Sequence, residues 1–352
     1  LKTAHEAFLA GLPKAELHLH IEGTLTPAQK WRIAARNGID LPYASAAEIP
    51  AAQDFRGGDP ASFLRSFLDF YYEGLRILRT ARDFRDVVFD HLATCRDENV
   101  RYVEISFDPQ PHRARGIAFA EIMEGLQAGI DDGRGLGVEA QLIMCINRDL
   151  PLESALATLD EARAHRDRIV GLGLDSNEEG NPPEKFRTLY ARARDEGYRL
   201  TAHCDVDQRD AAAHIRDCLH VLGVERIDHG INCLEDEALI SELRDRDICL
   251  TACPTWRPSD AAPRRMDRIP VMHRRGLSVC INSDDPGLFA SGTLGAMLPA
   301  VAAAGAFTED DLAQLMINAF RGAWLPAERR AAYIAEIRAY RAAWPDGGRP
   351  PP

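Results

Sequence analysis

At 352 residues the chain is longer than a typical single domain, although α/β barrels of this length form one domain. Lys and Arg number 42 against 54 Asp and Glu, a net charge of −12, and so acidic a surface repels phosphate backbones and argues against a nucleic-acid partner. With 45 % hydrophobic and 27 % charged residues the composition is that of a globular protein with a large core, and no apolar run approaches the roughly 20 residues that span a bilayer.

Residues 1–12 lack a basic region, a long apolar core and a small-residue cleavage site, so no signal peptide is expected. The first strand-like stretch is Glu16-Leu17-His18-Leu19-His20-Ile21-Glu22-Gly23. Alternate side chains of a strand share a face, so His18 and His20 lie side by side, two imidazoles that make half of a divalent-metal site. Residues 26–85 follow with no convincing strand. Helices are expected over 28–37 and over 63–75, the second from the i, i+3, i+4 spacing of Phe63, Leu64, Phe67, Leu68, Tyr71, Tyr72 and Leu75. An insertion directly after a metal-bearing strand is well placed to act as a lid, while its aromatics suit plain core equally well.

From residue 86 onward short β-rich runs alternate with helical ones. Strands are expected at 100–107, 138–146, 169–174, 199–203, 226–229, 248–253 and 277–282, with amphipathic helices over 119–133, 152–166, 184–196, 211–222 and 237–246 between them. Continuous apolar strands alternating with helices specify a parallel sheet covered on both faces. With the first strand there are eight such units, which predicts an α/β fold of the (β/α)8 TIM-barrel type. The expected organisation is one domain over 1–345, with the helical insertion at 26–85, extra C-terminal helices over 309–344 and a disordered tail at 346–352. Eight cysteines are scattered with no C-x-x-C pair, several inside apolar runs, which points to buried reduced thiols in a cytoplasmic protein.

Chemistry in such barrels gathers at the C-terminal ends of the strands. Those ends carry His18 and His20, then Ser176 and Glu178, His203 and Asp205, Asp228 and His229, and finally Asp284 and Asp285. His18, His20, His203 and Asp284 form a nitrogen and oxygen set suited to zinc, with iron or manganese as alternatives. Cys204 is excluded as a ligand because its side chain points away from that of His203 on a strand. A catalytic zinc lowers the pKa of its water to about 7, and His229, not needed as a ligand, is placed to relay the proton. Asp284 and Asp285 are adjacent carboxylates pointing different ways, one for the metal and one for a hydrogen bond with substrate.

Taken together, His18-Leu19-His20, Thr201-Ala202-His203, Arg226-Ile227-Asp228-His229-Gly230, Leu234-Glu235-Asp236 and Asn282-Ser283-Asp284-Asp285-Pro286 resemble the adenosine and adenine deaminases of the amidohydrolase superfamily. The resemblance implies a zinc-dependent barrel that hydrolyses a purine amino group to a carbonyl. By it, His18, His20, His203 and Asp284 bind one metal, His229 and Asp284 handle the attacking water, and Asp285 holds a purine ring nitrogen. Glu22, expected with Ser176 and Asp285 to bind substrate, stands where the nucleoside-specific branch carries Asp and shortens the pocket at the sugar end, and 171–183, with Ser176 facing the base, resembles the adenine-type enzymes. Both details favour a free or substituted adenine over adenosine. The resemblance also implies a proton-donating Glu three residues past His203, where this chain has Val206 in His203-Cys204-Asp205-Val206-Asp207. Either Asp205 or Asp207 serves instead, with Asp205 sharing the parity of His203 if the strand continues, or the substrate needs another donor.

The leading expectation is therefore an aminohydrolase of an adenine-like, purine-class small molecule, N6-substituted bases included. The alternatives are an adenosine deaminase, a hydrolase of another heterocyclic C–N bond, and a metal-bearing barrel without turnover. Whether the chain forms a homo-oligomer is left open.

Overall fold

The computed structural model describes residues 4–50, 60–204, 209–257 and 265–345; Asp205, Val206, Asp207 and the expected tail at 346–352 lie outside the described residues. Eight strands run β1 (Lys14–His20), β2 (Val100–Phe107), β3 (Glu139–Asn147), β4 (Ile169–Asp175), β5 (Arg199–Cys204), β6 (Arg226–His229), β7 (Cys249–Ala252) and β8 (Ser278–Ile281). Each pairs in parallel with the next in chain order. Helices lie between the strands, as expected of a (β/α)8 TIM barrel. Among the described residues no helix is long and apolar enough to cross a membrane.

The barrel closes where β8 ends against β1. Asp284 forms a parallel bridge with Leu19, the His20 N–H donates to the Asp284 carbonyl at 3.0 Å, and the Leu17 N–H donates to Asn282 Oδ1 at 2.8 Å. The closing seam thus carries Asp284 to the side of both N-terminal histidines. β1 itself is irregular: Glu16 pairs with Val103 and Leu19 with Ile105, three residues against two, which is a bulge. The bulge separates residues that simple alternation would put on one face. Glu16 Oε2 lies 4.0 Å from His91 on the neighbouring helix, while His18 and His20 face the barrel mouth.

The expected insertion boundary at 85 falls inside a helix, Ala81–Asp97. This helix buries Phe84, Val87, Val88, Leu92 and Cys95 and belongs to the barrel wall. Its start is fixed by Asp83 Oδ2, which accepts the N–H groups of Arg79 and Thr80 and the Thr80 hydroxyl. Helix Phe119–Gly133 packs closely on it, because a Cβ at Gly129 would lie 2.6 Å from Val88 Cβ and 2.8 Å from the Arg85 carbonyl. The insertion keeps helices at Pro27–Arg36 and Pro60–Leu75. The second of these contributes Tyr71 and Leu75 to a small apolar cluster with Leu288 and Phe289, separate from the main core. Two further helices, Glu309–Gly322 and Ala327–Ala343, complete the C-terminal part.

Candidate active site

The strand ends bring four of the expected residues into one group. Ligand atoms of His18, His20, His203 and Asp284 all lie within 4.8 Å of one another. His18 Nε2 is 3.2 Å and His20 Nε2 3.7 Å from Asp284 Oδ1, and the Nε2 atoms of His20 and His203 are 3.2 Å apart. All four are buried, as is His229, whose ring centroid lies 4.7 Å from that of His18 and 5.2 Å from that of His203.

Each histidine of the group turns its other nitrogen to a polar partner. His20 Nδ1 faces Asp175 Oδ2 and His203 Nδ1 faces Asp228 Oδ2, each at 3.5 Å, and His18 Nδ1 meets Thr251 Oγ1 at 3.0 Å. With the ring proton on Nδ1 in each case, the Nε2 lone pairs converge. Two lone pairs facing each other at 3.2 Å, as in His20 and His203, cannot hydrogen-bond and are matched by a cation between them. The residues present therefore fit a divalent metal.

The local charges agree. Burial alone would raise Asp284, but His18, His229 and His20 around it hold it well below the carboxylate range. Burial likewise opposes charge on His18, yet Asp284 and Asp228 push it up to about 9, so the centre attracts positive charge. Burial holds His20, His203 and His229 below the ordinary histidine value, the state of neutral ligands and a neutral base.

Asp285 points elsewhere. It is 2 % exposed, and burial together with the Asp284 charge pushes its carboxyl well above the usual range. Gly23 makes room for it, since a Cβ there would lie 2.6 Å from Asp285 Cγ. Glu22 is buried with both oxygens engaged: Oε1 accepts from the Asp108 N–H at 3.1 Å and lies 3.1 Å from His112 Nε2, and Oε2 accepts from the Tyr71 hydroxyl at 3.4 Å. Burial raises Glu22 to about 7. Ser176 Oγ lies 2.8 Å from the Tyr72 hydroxyl, which also accepts from Asn147 Nδ2 at 3.1 Å. Tyr71 and Tyr72 of the insertion helix thus reach the rim at both Glu22 and Ser176. Cys204 packs outward, its Sγ 3.4 Å from that of Cys218, in line with its exclusion as a ligand.

Glu178 is buried just past β4. Its carboxylate takes His214 Nδ1 at 2.6 Å and lies 3.7 Å from Arg148 Nη1, and Arg148 donates to the His203 carbonyl at 3.0 Å. Sequence reasoning assigned no role to Thr251, Asp175, Asp108, Tyr72 or Arg148. Thr251 falls inside the expected strand 248–253, and only strand register reveals what it touches.

A family model described as adenosine deaminase matches residues 13–340 of this chain. An adenine deaminase of Vibrio parahaemolyticus is 40 % identical over 337 residues, 95 % of this chain and 97 % of that one. Among solved structures, an adenine deaminase from Arthrobacter aurescens superposes with a TM-score of 0.85 at 36 % identity, covering 95 % of this chain and 100 % of that one. An amidohydrolase from Burkholderia ambifaria with bound zinc has a TM-score of 0.86 at 28 % identity, covering 97 % of this chain and 94 % of that one. Agreement over nearly the full length, with the same barrel, places the chain in the adenosine deaminase family.

Proposed function

We propose that the protein is a zinc-dependent hydrolase that deaminates an adenine-like purine, as free or N6-substituted base in preference to the nucleoside. The observation that carries this reading is the convergence of three imidazole Nε2 atoms and one Asp284 oxygen beside a neutral His229. Relatives named adenine deaminase, 40 % and 42 % identical over most of the chain, support the substrate class.

His18, His20, His203 and Asp284 would hold the ion, and zinc suits three nitrogens and one oxygen better than iron or manganese. Bound there, zinc supplies a water whose pKa is lowered to about 7. His229 takes the proton that this water loses on attack and returns it to the departing amine. Asp285, kept protonated by burial and its anionic neighbour, donates to a ring nitrogen and orients the base. Asp205, two residues past His203 in the sequence, protonates the ring nitrogen next to the attacked carbon in place of the Glu absent at Val206. The exocyclic C–N bond breaks as the hydroxyl on the attacked carbon gives its proton to Asp284, which passes it on to solvent and so to the spent Asp205; a carbonyl forms and ammonia, or the substituted amine, leaves. Helix Pro60–Leu75 serves as a lid, through Tyr71 and Tyr72 at the rim. Eight free buried thiols support a cytoplasmic setting.

The test is release of ammonia, or of the corresponding amine from N6-substituted adenines, from a panel of adenine, N6-substituted adenines, adenosine and aminopyrimidines by zinc-loaded protein. Turnover of the bases above adenosine is expected, and it is lost on chelation. Release from none of the panel would reject the reading.

A further inference from the structure

We infer that Thr251 is a positioning residue of the metal centre, whose hydroxyl locks His18 into the tautomer that leaves Nε2 available to the ion. The inference rests on reading the site as a metal centre.

Strand register sets the arrangement. His203 on β5 pairs with Asp228 on β6, and Asp228 pairs with Thr251 on β7, so the three form one row facing the barrel interior. Thr251 is fully buried, and a buried hydroxyl needs partners. It has two: Oγ1 donates to Asp228 Oδ1 at 2.9 Å and lies 3.0 Å from His18 Nδ1. An ionised carboxylate only accepts, so the single hydroxyl hydrogen goes to Asp228. What faces His18 is then an oxygen lone pair, and Nδ1 must carry the ring proton. Nε2 is left with its lone pair, 3.2 Å from Asp284 Oδ1 and within the converging group.

Arg226 keeps Asp228 in the accepting form. Two residues earlier on the same strand face, its Nε lies 3.8 Å from Asp228 Oδ1, and it is anchored by Glu104 Oε2 at 2.6 Å and the Trp324 ring at 4.1 Å. The other Asp228 oxygen faces His203 Nδ1 at 3.5 Å. One carboxylate therefore orients two imidazoles, His203 directly and His18 through Thr251.

The experiment compares zinc affinity of the parent, Thr251→Val, Thr251→Ser and Asp228→Asn by competition with a chromophoric chelator. It adds 15N spectra of histidine-labelled, zinc-loaded parent. Thr251→Val, which keeps shape but removes the hydroxyl, is expected to weaken zinc binding by about 10- to 100-fold. Thr251→Ser restores most of that loss, and Asp228→Asn loses more than Thr251→Val because both imidazoles are released. The parent spectrum shows the His18 proton on Nδ1. Undiminished zinc affinity in folded Thr251→Val, or equal losses in Val and Ser, overturns the inference, the second outcome assigning Thr251 to packing. A proton on His18 Nε2 overturns it even where Thr251→Val fails to fold. A parent that takes up no zinc rejects the metal-centre reading itself, and this inference with it.

Discussion

Ser176, His229 and Asp284 leave their strands with φ of 70°, 62° and 63°, a left-handed backbone that non-glycine residues adopt at a cost of about 1–3 kcal/mol. The turn re-aims each side chain across the barrel mouth, and for His229 it sets the ring against His18 and His203. His229→Ala is expected to keep fold and zinc but to lose about 10²- to 10⁴-fold in kcat, read by ammonia release and metal analysis on one sample. Unchanged kcat would remove His229 from the mechanism. Asp205→Asn and Asp207→Asn should separate, with a loss of about 10²-fold or more confined to Asp205→Asn and the Asp207 variant near the parent. Similar mild effects in both would move the proton donor elsewhere. Residue chemistry was the most legible layer: the His-x-His pair, His203, Asp284 and His229 announce themselves by type and strand end. What the residues touch was not. The oxygens of Glu22, expected among the substrate-binding residues, meet Asp108, His112 and Tyr71, contacts between elements that no spacing reveals.

At the scale of elements, β2 and β6 match the bounds read from sequence, 100–107 and 226–229, β2 being rich in β-branched and aromatic residues and β6 ending on the Asp228-His229 pair. Helix Ala81–Asp97 was cut by the expected boundary at 85 because its first turns are dense in charge, with Arg82, Asp83, Arg85 and Asp86 masking the apolar stripe. Its packing depends on a glycine that sequence alone marks only as a weak helix residue. Gly129→Leu would force the side chain into Val88 and the Arg85 carbonyl, and about 1–3 kcal/mol of stability should be lost, measured as a lower urea midpoint with unchanged slope. A midpoint equal to that of the parent would show that the two helices can move apart freely. The bulge in β1 is another feature hidden from alternation, and it sends Glu16 toward His91 while leaving His18 and His20 at the mouth.

For the whole molecule, eight alternations of strand and helix made the barrel legible, since a closed parallel sheet answers the demand of strands buried on both faces. The closing seam was less so: it runs through backbone pairs of His18, Leu19 and His20 with Asp284, which join residues from opposite ends of the chain. Residues that close the barrel thus also belong to the candidate metal centre. The most direct measurement is a titration of chelator-stripped protein with zinc, following bound metal and ammonia release from adenine together. The account predicts that both rise in proportion to a single equivalent per chain and then level off. Full turnover by metal-free protein, or no zinc retained by a folded chain, would contradict it.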